Sequence, residues 1–229
     1  MNLDKFEEKA GIIFKNKDLL KQAFTHRSYI NENRSLNLEH NERMEFLGDA
    51  VLELVITDFL YKKFESSSEG EMTSLRSALV NADTCSKVAQ KLGANEFLLL
   101  SKGEAKDTGR ARQFILANTL EAVIGAIYLD QGYDVAKNFI LTHITPLIDE
   151  IVGDKRWIDP KSLLQEKAQE ETGITPVYKT LGESGPDHDK HFTVGVFVGS
   201  TQYAEGEGKS KQDAEQMAAR RALELKGWQ

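Results

Sequence analysis

The chain has 229 residues, more than one typical domain and enough for two small ones. It carries 29 basic against 36 acidic residues, a net charge of −7, which excludes a broadly basic surface of the kind that grips nucleic acid everywhere. The single cysteine, Cys85, excludes an internal disulfide and a cysteine-based zinc cluster; within VNADTCSKVAQ it falls at an apolar helical position, as a small buried hydrophobe would.

The N-terminus, MNLDKFEEKAG, is acidic where a targeting peptide is basic and apolar. No run of about eighteen apolar residues exists, so no membrane span is expected. A cytoplasmic protein with no membrane partner and no organic cofactor is the expectation.

From the start to about residue 150 the chain reads as helix after helix. Apolar residues recur three and four apart in Leu19–Phe24, Met44–Phe59, Leu75–Val88, Phe114–Leu129 and Val135–Ile151. A polar stretch, GDKRW, then marks a linker at 153–157. Beyond it, Pro160 opens a helix that Gly173 closes. Three strand-like runs follow, Val177–Leu181, Phe192–Val198 and Gln202–Glu207. A last helix starts at Ser210, with Asp213 completing a capping box. The reading is an all-α domain over 1–152 and an α+β domain, ordered α-β-β-β-α, over 158–229.

The strongest chemical signal is HNERMEFLGDAVLELV, residues 40–55. On a helix, Glu42, Glu45, Asp49 and Glu53 share an arc of about 80°, with Met44, Leu47, Val51, Leu54 and Val55 opposite. Like charges at these spacings repel by about 0.2–0.5 kcal/mol per pair, and no lysine or arginine within the stripe relieves them. Glu121 lies in the apolar run FILANTLEAVIGAIYL, with Asn118 nearby, where an unpaired buried charge is expensive. A solvated face is the bland alternative, but divalent cations on oxygen ligands from two facing helices answer both problems, and the set suits Mg2+. Gly48 and Gly125 would let those helices approach closely.

NERMEFLGDAVLEL strongly resembles the signature of the ribonuclease III family. The resemblance continues in FTHRSY, LRSALVN, KGEAKDTGR and ILANTLEAVIGAIYLD and covers essentially the whole chain. It implies an all-α endonuclease domain that forms a homodimer and cuts double-stranded RNA. It further implies a two-metal reaction giving 5′-phosphate and 3′-hydroxyl ends with short 3′ overhangs, on precursor ribosomal RNA and structured messenger RNA. Carried over by position, Glu45, Asp49 and Glu121 are catalytic metal-binding carboxylates for Mg2+, with Mn2+ as substitute, and Glu42 is the additional acidic residue. Glu53 falls outside that set and reads as solvated. Phe46, beside the acidic arc, matches the aromatic that enters the partner subunit.

Asn118 stands where the family usually has aspartate. Its amide oxygen still ligates a hard cation, but without charge. Phe114 also replaces a residue that is usually small. The alternative implied is a double-stranded-RNA-binding protein whose cleavage Asn118 impairs.

Residues 158–228 resemble a double-stranded-RNA-binding domain, which reads A-form RNA by shape, 2′-hydroxyls and phosphates. By the resemblance, Ser162, Gln165, Glu166 and Gln169 form the first-helix contacts. His188 lies in the loop GPDHDKHF, and Lys209 and Lys211 meet phosphate at the start of the last helix. Gln212 takes the place of one lysine of an expected adjacent pair. Residues 155–229 hold 11 basic and 12 acidic residues, so most of the negative charge belongs to the first domain.

Overall fold

The structure, a computed structural model, describes residues 2–36, 38–153, 157, 159–186 and 189–228. It separates into two compact units, Met1–Trp157 and Ile158–Gln229.

The first unit is helical: α1 (Asp4–Ala10), α2 (Lys17–Ala23), α3 (Arg27–Glu32), α4 (Glu42–Lys63), α5 (Glu69–Val80), α6 (Ala82–Lys91), α7 (Arg110–Gln131), α8 (Tyr133–His143) and α9 (Ile148–Gly153). The 22-residue helices α4 and α7 form its centre. Side chains of α7 are buried almost all round, including Leu116, Leu120, Ile124 and Ile127. The buried face of α4 carries Val51, Leu52, Val55 and Ile56. Phe6, Phe24 and Phe97 close one end, with Phe6 and Phe24 edge-to-face at 4.9 Å between centroids.

Two periodic stretches that read as single helices are each broken by local chemistry. The Leu75–Val88 pattern splits at Asn81, which ends α5 and caps α6, its side chain accepting from the Thr84 amide at 2.9 Å. The Val135–Ile151 pattern splits at a 3-10 turn, Thr145–Leu147, opened by Pro146. Leu54, expected among the core-facing positions of α4, is 57% exposed. Gly153 ends α9 and Trp157 packs against the first core; residues 154–156 of the stretch expected to link the units lie outside the described residues.

The second unit has the order α10 (Pro160–Thr172), β1 (Val177–Ser184), β2 (His191–Val198), β3 (Thr201–Gly208) and α11 (Lys211–Lys226). The sheet is antiparallel in the order β1-β2-β3. Asp159 caps α10 and Pro160 occupies its first turn, while Gly173 closes it with φ 70°. Val196 and Ala204 turn inward onto Leu164, Ala218, Ala219 and Ala222, and Val194 is buried on the same strand as Val196. The expected capping box on α11 is half-formed. Ser210 Oγ accepts from the Asp213 amide at 3.1 Å, but the Asp213 carboxylate takes the Ser210 hydroxyl at 2.7 Å rather than its backbone N–H.

Candidate active site and RNA-binding surface

The acidic residues of α4 meet α7 because two glycines remove the side chains that would hold the helices apart. A Cβ on Gly48 would lie 1.7 Å from the Glu121 carbonyl oxygen, and one on Gly125 would lie 2.2 Å from the Met44 carbonyl oxygen. This backbone contact sets Glu45 and Asp49 of α4 beside Asn118 and Glu121 of α7.

The acidic stripe is not uniform. Its two outer members are each met by an arginine from another helix. Arg27 of α3 lies 3.5 Å from Glu42, which His40 also approaches at 3.7 Å. Arg76 of α5 lies 3.0 Å from Glu53 and donates to Thr57 Oγ1 at 3.1 Å. Glu53 is therefore held rather than simply solvated. The relief comes from helices 15 or more residues away in sequence, which the spacing within α4 could not reveal.

Among the described residues the inner members, Glu45, Asp49 and Glu121, have no such cation. Burial pushes the Glu121 carboxyl up to about 8, and the charges of Asp49 and then Glu45 add to the rise. The Glu45 carboxyl is also raised, by burial and by Glu42 and Asp49, while the Asn118 amide donating to it opposes the shift. Cys85 is buried behind these groups, and burial, with Glu121 and Asp49, pushes its thiol up, which makes it inert. Among the described residues no three His, Cys, Asp or Glu side chains close onto a single metal-holding point. The carboxylates line one cleft without being drawn together, as mutually repelling charges do. The donor set is nevertheless all oxygen, partly buried and short of positive charge, which fits a hard divalent cation.

Phe46 is 82% exposed, on the same side of α4 as the exposed Leu54 and Tyr61. Near the other end of α4 a groove of about 340 Å³ is lined by Tyr61, Lys62, Phe64, Glu65, Ser67 and Met72.

In the second unit Ser162, Gln165, Glu166 and Gln169 are all exposed along α10, as their spacing implies, with Gln169 donating to Thr175 Oγ1 at 3.0 Å. Lys211 pairs with Glu183 at 3.1 Å and Lys209 approaches Asp189 at 3.7 Å. Such exposed pairs contribute about 0–1 kcal/mol each, so phosphate can displace them. His188 lies outside the described residues. Arg27, His40 and Arg76 escaped the sequence reading; only their place in FTHRSY, HNERMEF and LRSALVN could have drawn attention to them.

Residues 16–148 match the family described as Ribonuclease-III-like, and residues 160–226 match the double-stranded RNA binding motif. Ribonuclease 3 of Bdellovibrio bacteriovorus is 45% identical over 96% of this chain and 94% of its own length. The chain belongs to the ribonuclease III family. Ribonuclease 3 of Geobacillus thermodenitrificans is 47% identical over 96% of this chain and 90% of its own. The nuclease domain of ribonuclease III from Campylobacter jejuni superposes with a TM-score of 0.58 at 41% identity, covering 63% of this chain and 97% of that one. As a ribonuclease III, the chain is an endoribonuclease specific for double-stranded RNA, with a helical nuclease unit and an α-β-β-β-α binding unit. Among the described residues no helix is long and apolar enough to cross a membrane.

Proposed function

We propose that the α4–α7 cleft hydrolyses phosphodiester bonds of duplex RNA, giving 5′-phosphate and 3′-hydroxyl ends with short 3′ overhangs. The observation that carries this reading is the division of the acidic stripe: Glu42 and Glu53 have arginine partners, while Glu45, Asp49 and Glu121 face one another across α4 and α7 without one among the described residues. Mg2+, or Mn2+ in its place, would be held by Glu45, Asp49, Asn118 and Glu121, with Glu42 supporting. When bound, a pair of such cations supplies an activated water and neutralises charge at the leaving 3′ oxygen. Burial and the neighbouring carboxylates favour the protonated form of Glu121 in the absence of a cation, and a bound cation would favour the carboxylate. The Asn118 amide orients Glu45 by donating to it, and adds no charge of its own.

One cleft cuts one strand, so cutting both strands calls for a homodimer. Phe46 lies near the start of α4 and the 340 Å³ groove near its end. Two copies of α4 packed antiparallel about a two-fold axis bring each Phe46 to the partner's groove. Residues 1–152 are assigned the catalysis and dimerisation, 153–157 the connection, and 158–229 the hold on RNA through Ser162, Gln165, Glu166, Gln169, His188, Lys209 and Lys211. Stems of precursor ribosomal RNA and structured messenger RNA in the cytoplasm are substrates of the right shape.

The test is to incubate end-labelled duplex and single-stranded RNA with the chain, with and without Mg2+. Cleavage of the duplex alone, and only with the cation, is the expected result. Equal cleavage of the single strand, or cleavage in chelator, contradicts the reading.

A further inference from the structure

Between Phe114 and Ile127 every side chain of α7 is buried except three: Phe114, Asn118 and Glu121. Their spacing of four and then three places them on one stripe, and Arg110, four residues before Phe114, extends it to the start of the helix. Asn118 and Glu121 belong to the acidic cleft, so the stripe facing that cleft continues into a half-exposed aromatic ring and a guanidinium. Phe114 is 47% exposed, an unusual position for a large apolar side chain on a helix otherwise sunk in the core. Arg110 lies over its ring, 5.7 Å from the centroid, and pairs with no described carboxylate, although this unit holds the excess of acidic residues. The guanidinium is therefore braced by the ring, while its donors remain available.

Phe114 lies about 6 Å along the helix axis from Asn118, and Arg110 about 12 Å. A strand whose scissile phosphate sits at Glu45 and Glu121 reaches those positions within a few nucleotides. We propose that Arg110 and Phe114 form a strand-tracking subsite of the cleft. The guanidinium takes a flanking backbone phosphate of the duplex, and the Phe114 ring lies against the ribose between that phosphate and the cut. The bases of a duplex are stacked inside, so the sugar edge is the apolar surface an aromatic ring can meet there. A guanidinium suits the phosphate because its fork binds two oxygens at once. This inference rests on the reading of the cleft as the site of RNA cleavage.

A second copy of the chain is the competing occupant of Phe114. The exposed apolar stripe of α4, Phe46, Leu54 and Tyr61, lies on the far side of the acidic residues from α7. Phe114 is thus on the opposite bank of the cleft from that stripe, and the cleft itself is where the RNA passes.

The experiment measures binding of a labelled duplex RNA to the full chain in chelator, where no cleavage occurs, across a range of salt. Variants F114A, F114L, R110A and R110K are compared with the parent, and steady-state kinetics are taken with Mg2+. R110A is expected to reduce the slope of log affinity against log salt by about one, with R110K keeping the slope. F114A is expected to weaken binding about tenfold and F114L to keep most of it. In both alanine variants KM rises while kcat stays within about threefold, and the mass in solution is unchanged. Parental affinity and slope in F114A and R110A, with a parent that binds and cuts, overturn the subsite alone. A change of mass in F114A assigns the ring to the partner copy and also overturns it. A parent that neither binds nor cuts duplex RNA overturns the broader reading, and the subsite with it.

Discussion

A Cβ on Gly48 would sit 1.7 Å from the carbonyl oxygen of Glu121, so backbone contact between these two residues sets the approach of α4 to α7. Every carboxylate of the cleft takes its position from that contact. G48A should therefore be damaging out of proportion to one methyl group. Overpacking of this kind costs about 1–3 kcal/mol, and here the displaced residue is Glu121 itself. Denaturant unfolding should show that loss, and cleavage should fall further than stability does. G153A, with no atom of the described residues within 4 Å of the added methyl, is the control and should leave both unchanged.

The raised Glu121 carboxyl ties stability to pH. Its folded value, about 8, lies above the unfolded 4.5, so the fold favours the protonated form. That contribution is fully present below about pH 4.5 and is lost as pH rises towards 8. Without divalent cations the melting temperature should therefore fall between pH 5 and pH 8. E121Q should flatten this fall, and Mg2+ should raise the melting temperature of the parent most at the alkaline end. A pH profile identical in parent and E121Q contradicts this.

Much of this arrangement is legible in the sequence, for physical reasons. The period of three and four locates α4 and α7, the clustered carboxylates locate the cleft, and Gly48 and Gly125 announce the close approach. Helix ends set by one residue are harder to read: Asn81 and Pro146 each divide a stretch whose apolar period runs on through the break. Pairings across the fold cannot be read at all from spacing within a helix. Glu7, for instance, is buried because its carboxylate accepts from the Phe14 amide at 2.9 Å and meets Lys17 at 3.0 Å. Arg27 and Arg76 escape in the same way, and with them the division of the acidic stripe.

Asn118 contributes an oxygen but no charge. N118D should lower the Mg2+ concentration for half-maximal cleavage about tenfold, equivalent to about 1.4 kcal/mol. In chelator it should lower stability at pH 8, because a further carboxylate then faces Glu45 with nothing to neutralise it. Titration of cleavage rate against Mg2+ for the two chains checks the first effect, and melting in chelator the second.

Phe46 presents 82% of its surface to solvent, far more than a folded monomer needs to expose. F46A should weaken self-association by about 2 kcal/mol, roughly thirtyfold, if the ring is an anchor of the homodimer. Sedimentation across a dilution series would show a shift towards the monomer mass. An unchanged dimer mass at every concentration removes Phe46 from that role.

Lys209 and Lys211, held in weak exposed ion pairs with Asp189 and Glu183, are the phosphate contacts we propose for the second unit. K209A and K211A should each reduce the salt slope of duplex binding by about one, with little change in preference among sequences. Fluorescence anisotropy at several salt concentrations reads both. An unchanged slope in both variants places the phosphate contacts of the second unit elsewhere.

The central claim, that the α4–α7 cleft cuts duplex RNA, is tested most directly by mapping the ends produced from a labelled perfect duplex with Mg2+. The parent chain should leave 5′-phosphates, 3′-hydroxyls and short 3′ overhangs on both strands. E121Q should bind the duplex with parental affinity and leave it whole. Cleavage that persists in E121Q, or a parent and an N118D chain that both bind and never cut, would contradict the account.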